Sequence, residues 1–318
     1  MAKKSTKPKC GPLGLSRIAG LACQQVLRHR SPVVTLEIRT FAGDVLHSCE
    51  LPEPVAHHQL LPDGHSVLLV DTVGVRDDRT LQREVRMLDA RTQAIRPLAA
   101  ADSLRIAASA DRFACVRGGA VCVHDLSGER VFEARCTLDP EQHALAFLPN
   151  GDLAVSTGAR GAECMVDLLV LDGETGETRQ EYRARLASSY SRFAPASVHV
   201  APHGKLVAIT GFHAGLAVFD LASGEPVADR FAPHPLDLAD DRATLHDHHT
   251  YGDIAFDGDG LRMAAAYRPG WLSAWRVDGT PLLQAAPFVN PKAEYAIAFD
   301  GDGLLYMDSF GDRAQFAL

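Results

Sequence analysis

The densest group of residues able to do chemistry is the run LHDHHTYGD at positions 245–253, which holds His246, Asp247, His248, His249 and Asp253. Imidazole nitrogens and carboxylate oxygens are ligands for a divalent metal, and an extended chain places His246 and His248 on one side. A zinc site needs three or four converging ligands, and one strand supplies two, so this spacing by itself predicts no metal and no cofactor. His199 and His213, one repeat earlier, are placed to add to the group. Tyr190, Arg192 and Arg242 lie in long polar segments, and Trp271 stands in the segment AYRPGWLSAW. Aromatic and arginine side chains are frequent anchors of protein interfaces. Tyr190, Arg192, His213, Arg242, His246, His248, His249, Asp253 and Trp271 therefore form the candidate partner-binding set, and no residue is assigned a catalytic role. The sequence contains no nucleophile elbow, phosphate-binding loop, HExxH helix or dinucleotide fingerprint.

The elements that must position these residues come from an internal repeat. Six stretches have one shape: HHQLLPDGHSVLLV, RIAASADRFACV, ALAFLPNGDLAV, VHVAPHGKLVAI, DIAFDGDGLRMAA and AIAFDGDGLLYM. Each reads as two short strands around a turn rich in Asp, Asn and Gly, residues that tolerate the positive φ of tight turns. The matching turn residues are Asp63, Asp111, Asn150, His203, Asp259 and Asp302, at intervals of 48, 39, 53, 56 and 43 residues. Three residues before them stand Leu60, Ala108, Phe147, Val200, Phe256 and Phe299, and five before stand His58, Ile106, Leu145, Val198, Ile254 and Ile297. Alternation puts both positions on one strand face. Eleven of the twelve are apolar, so that face packs, and His58 is expected to be a core histidine with its hydrogen bonds met.

A second signature follows each hairpin, as in AVCVHDLSGERVF, LLVLDGETGETRQ and LAVFDLASGEPVAD: a strand ends near Asp, turns at Ser-Gly-Glu or Thr-Gly-Glu, and a further strand begins. Four strands per roughly 40–50 residues is the arithmetic of a propeller blade. On these motifs the chain resembles the superfamily of WD-repeat and YVTN-like β-propellers over about residues 15–318. The Trp-Asp of that pattern is replaced here by Leu-Asp, His-Asp and Phe-Asp. The resemblance implies an all-β chain folded as a single β-propeller of four-stranded antiparallel blades, seven with the chain ends meeting in one of them, or six. Residues 1–14, with four of the six lysines, read as a flexible basic tail, and 15–318 as the propeller domain.

The insertions 71–84, 156–167, 178–197 and 227–253 all fall on connections that emerge from one propeller face, which is the expected binding face. A net charge of −8 argues against a general nucleic-acid binder, and no apolar run reaches the length of a membrane helix. Seven cysteines without regular spacing do not form a disulfide framework, and no apolar core follows the basic start as in a signal peptide, so a cytoplasmic setting is expected, while 26 arginines among the 32 basic residues and abundant alanine suit a GC-rich bacterial genome. The leading functional expectation is a non-catalytic scaffold that docks a protein or peptide partner, with no nucleic acid and no membrane involved. The alternative is a propeller enzyme, a lactonase-like or other hydrolase, with a His/Asp or metal site at the channel mouth. Oligomeric state is not legible.

Overall fold

The computed structural model describes residues 9–10, 16–18, 21–27, 33–40, 44–75, 81–136, 143–158, 165–185, 195–211, 216–227, 251–267, 271–285, 295–308 and 313–318. They form seven antiparallel sheets, each a blade, in strict chain order. Blade one contains β1 (Lys9–Cys10), β2 (Ser16–Ile18), β3 (Leu21–Leu27), β4 (Val34–Thr40) and β5 (Val45–Leu51). Here β1 and β2 both pair with β3, together filling the innermost position. Blade two is β6 (His57–Leu60), β7 (Ser66–Val75), β8 (Leu81–Asp89) and β9 (Ala94–Ala101). Blade three is β10 (Ala107–Ala108), β11 (Arg112–Arg117), β12 (Ala120–Asp125) and β13 (Arg130–Ala134). Blade four is β14 (His143–Phe147), β15 (Leu153–Gly158), β16 (Met165–Leu171) and β17 (Thr178–Arg185). Blade five has β18 (Pro195–Val200), β19 (Leu206–Gly211) and β20 (Leu216–Asp220), with Pro226 bridging Phe219 where a fourth strand would lie. Blade six is β21 (Tyr251–Phe256), β22 (Arg262–Tyr267), β23 (Trp271–Arg276) and β24 (Pro281–Ala285). Blade seven is β25 (Tyr295–Asp300), β26 (Gly303–Asp308) and β27 (Arg313–Ala317).

The all-β propeller expected from the repeat is therefore present, with seven blades rather than six. Closure differs from the expectation. The chain ends do not share a blade among the described residues: the first blade is built wholly from residues 9–51, and β27 has β26 as its one neighbour. Lys9–Cys10, within the stretch read as tail, pair with Leu27 and Val26. All four segments read as insertions are partly strand: 71–84 runs into β7 and β8, 156–167 takes in the end of β15 and the start of β16, 178–197 takes in β17 and the start of β18, and 227–253 ends in β21.

Packing explains why the inner strands are continuously apolar. Among the described residues the buried hydrophobic side chains separate into seven clusters, and each cluster belongs to one seam between neighbouring blades. In β15, Leu153 and Val155 pack toward blade three whereas Ala154 packs toward blade five, so both faces of the strand must be apolar. The six predicted turn residues all fall in the connections between first and second strands. The aspartates of the second signature cap their turns: Asp125 Oδ1 accepts from the amides of Ser127 and Glu129, and Asp172 Oδ1 from those of Glu174 and Thr175.

On the face of these short turns, side chains also clasp the next blade. Arg96 donates to Leu126 O, Arg112 to Gly173 O at 2.7 Å, Tyr182 to Leu221 O at 2.9 Å, and Arg262 to Gly301 O at 2.7 Å. His203 Nε2 lies 3.2 Å from Gly260 O. Between blades one and two the clasp is internal: Gln25 donates to Val55 O and accepts from Val55 N, while His58 Nε2 donates to Cys23 O at 3.0 Å. His58 is the satisfied core histidine expected of its position.

Candidate functional site

Of the residues singled out in the sequence, Tyr190, Arg192, His213, Arg242, His246, His248 and His249 lie outside the described residues. Trp271 opens β23, where its backbone pairs with Tyr267. Asp253 is buried in β21, and its Oδ2 accepts from Ile297 N at 3.1 Å, tying blade six to blade seven. That position gives Asp253 a structural partner in the seam beside the channel. Among the described residues no group of three or more His, Cys, Asp or Glu side chains is arranged to hold a metal.

Two features of the face opposite the short turns stand out. The first is the central channel, a cavity of about 760 Å³ bordered by the innermost strands of blades two to seven. The position four residues before each turn residue borders it. That position is alanine in four blades (Ala107, Ala146, Ala255 and Ala298) but Gln59 in blade two and His199 in blade five. Two residues earlier stand His57, Arg105, Ser197 and Asp253, nearer the start of the inner strands. At the other end lie Leu60, Phe147, Val200, Phe256 and Phe299. The channel is thus polar toward the long connections and aromatic toward the short turns.

Electrostatics at the polar end follow from burial. Burial, then the neighbouring His58, then the Arg105 guanidinium lower the pKa of His57 to about 4, so its imidazole is neutral at pH 7. His58 is likewise lowered to about 4, by burial, against the opposing effect of its hydrogen bond to Cys23 O. Arg105 donates to His143 O across the seam of blades three and four. Ser197 Oγ lies 2.7 Å from His199 Nε2 and 2.6 Å from Thr210 Oγ1.

The second feature is a projecting ribbon. β7 has ten residues, whereas its counterparts β11, β15, β19, β22 and β26 have six. β6 stops pairing at Val70, and β9 stops pairing with β8 at Arg83. Beyond these points β7 and β8 continue alone through Gly74↔Gln82 and Val75↔Leu81, after a bulge between Thr72 and Gly74. Three residues of strand correspond to about 10 Å of reach. Val73, Val75 and Leu81 on this ribbon are 59%, 64% and 40% exposed. Elsewhere in the strands apolar side chains of this size are mostly buried in seams.

These features define a seven-bladed β-propeller with an open axis and an apolar arm. No family profile and no curated protein matches the sequence. Solved structures match the fold. One is Hsv2 of Kluyveromyces lactis, 12% identical with a TM-score of 0.58, covering 90% of this chain and 86% of that one. Another is Hsv2 of Kluyveromyces marxianus, 13% identical with a TM-score of 0.61 and coverage of 92% and 86%. A chain of the mitotic checkpoint complex is 14% identical with a TM-score of 0.62, covering 94% and 84%. At this identity the likeness is one of fold.

Proposed function

We propose that this propeller is a non-catalytic scaffold that docks a protein or peptide partner on the face of its long connections. The observation that carries the reading is the arm formed by β7 and β8, which holds Val73, Val75 and Leu81 in solvent beyond the edge of its own blade. Exposing aliphatic side chains on a free ribbon forfeits their burial, and such patches mark interaction sites. The blades beneath the arm are densely packed at their seams, so little freedom is lost by the scaffold on binding. That one fold neighbour is a chain of a multiprotein assembly agrees with this reading. The test is co-purification from the native host with the intact chain and with Val73→Ser/Val75→Ser. A partner retained by the first and lost with the second is the expected result. A partner set unchanged by these substitutions and by removal of 228–250 overturns the proposal.

A second reading, a hydrolase, is favoured by the 2.7 Å contact of Ser197 Oγ with His199 Nε2 beside the channel, a distance at which an imidazole can take a hydroxyl proton. Thr210 Oγ1, at 2.6 Å from the same oxygen, offers Ser197 a second partner and weakens that reading. Turnover of simple ester or lactone substrates that disappears with Ser197→Ala would support it.

A further inference from the structure

A channel wall needs only small side chains to stay open, and four blades meet that need with alanine at the position four residues before the turn. Gln59 breaks this pattern with a long carboxamide. Its Oε1 is buried without a hydrogen-bond partner among the described residues. His57 lies two residues away on the same side of β6, about 7 Å along the strand. It is half-buried and touches His58 ring to ring at 6.5 Å, but has no hydrogen-bond partner among the described residues. Both groups are uncharged at pH 7, and each combines donor and acceptor capacity. Buried polar groups without partners are rare because each forfeits its bonds to water. One such oxygen on Gln59 and a half-buried imidazole on His57, on the same side of one strand and both at a channel, point to a ligand.

The lining also indicates what kind of ligand. Arg105 and Asp253 bring one positive and one negative charge to the polar end, and Asp257, toward the far end, is already ion-paired with Arg262 at 2.7 Å, so neither sign of ion is favoured. Phe147, Phe256 and Phe299 give the far end apolar and aromatic surface. A cavity of about 760 Å³ suits a molecule of one or two rings.

We infer that the channel binds a small uncharged molecule with hydroxyl or amide groups along one edge, met by His57 and Gln59, and an apolar face laid toward Phe147, Phe256 and Phe299. Sugars and nucleosides share this chemistry. The inference does not depend on the docking reading, because the arm and the channel wall share no residue.

The experiment uses the full chain with two ligand sets, D-glucose and maltose in one and adenosine and uridine in the other. Saturation-transfer NMR and thermal shift are the readouts, and adenosine monophosphate is the charged control. The expected result is saturable binding within one set, weakened at least tenfold by Gln59→Leu and abolished by Ala146→Leu, which fills the wall. Gln59→Leu removes a buried unpartnered carbonyl, so the free protein should melt no lower than the parent. If Ala146→Leu does not fold, the Gln59→Leu comparison decides alone. Absence of binding by both sets at millimolar concentration overturns the inference. So does binding indifferent to Gln59→Leu, or tighter binding of the monophosphate than of adenosine.

Discussion

Replacing Gly176 by Ala probes why the second signature carries glycine at its turn. Gly176 adopts φ +75°, and a Cβ there would sit 2.5 Å from Cδ2 and 2.9 Å from Cε2 of Phe132, on the outer strand of the preceding blade. Two costs combine. A non-glycine residue in the left-handed region loses about 1–2 kcal/mol. Forcing a carbon into a packed ring adds about 1–3 kcal/mol, since Phe132 is itself buried in the seam of blades three and four. Gly151 supplies the control: its φ is +89°, but a Cβ there meets nothing within 4 Å, so Gly151→Ala carries the backbone cost alone. The difference between the variants is then about 1–3 kcal/mol, or roughly 2–6 °C in melting temperature for a domain of this size. Urea unfolding followed by circular dichroism, with calorimetry in parallel, reads both. In a Phe132→Ala background the penalty of Gly176→Ala should fall to that of Gly151→Ala, because the clashing ring is gone. If Gly176→Ala costs no more than Gly151→Ala in the parent protein, the turn does not dock against the neighbouring blade and the seam argument fails.

Acid should destabilise the protein in two stages. The pKa values of His57 and His58 are lowered in the folded state, so their contribution is full above the ordinary histidine value near 6.5 and is lost as pH falls toward about 4. For buried His58 this amounts to on the order of 3 kcal/mol. Unfolding free energy measured between pH 7 and 4 should therefore fall, less steeply in His58→Gln; a flat profile contradicts the burial argument. The second stage comes from the turn aspartates Asp125 and Asp172, held below the usual carboxylate range mainly by the Ser127 hydroxyl and the Arg179 guanidinium. Their contribution is present above about pH 4 and is lost below it, so Asp125→Ala should lower the melting temperature at pH 7 and flatten the acid limb of the profile. Burial pushes the Cys115 thiol up to about 12, so it should resist a thiol reagent in the native protein and react on unfolding, as a mass shift would report.

The fold was legible because the repeat is written in local motifs, once in the hairpin turns of blades two to seven and again, in blades three to five, where Asp is followed two or three residues later by Ser/Thr-Gly-Glu. The first blade escaped that reading because its hairpin, between Ile18 and Leu21, turns without an Asp or Asn. The segments 71–84 and 178–197 looked like insertions because they exceed the blade average, yet Thr72, Val73 and Val75 are β-branched. Tyr182 and Ala184 likewise alternate with exposed Glu181 and Arg183 as a strand should. The channel was harder to see. A residue four positions before a turn borders either a seam or the axis, and only closure of the ring shows which. Gln59 and His57 were in plain view, but nothing in their spacing said that they share a wall with Ser197 and Asp253 from distant repeats. Asp253 was singled out for the neighbouring histidines, whereas its burial answers to the amide of Ile297.

Closing the ring without a shared blade has a cost that should be measurable. Among the described residues, six of the seven seams each hold between nine and thirteen buried apolar residues in one cluster. The seventh, between blades seven and one, holds Ala22 with Ala298 and Leu305 packed against it among the described residues. Apolar burial contributes roughly 25 cal/mol per Å², so, on the described contacts, this seam is expected to open at lower free energy than the others. Among the described residues no strand crosses that seam to tie it, because those of the first sheet and of the last pair only within their own blades. Opening there leaves the other six seams intact, which makes it a local event rather than global unfolding. Native-state hydrogen exchange should therefore show β3 and β25–β26 amides exchanging through a sub-global opening, well before those of β11–β12 and β15–β16 in the densely packed seams. A disulfide or apolar substitution that strengthens the contact of Ala22 with Leu305 should raise protection in both end blades together. Equal protection around the ring would mean that closure rests on contacts beyond the cluster at Ala22, and the seam count would no longer rank the blades.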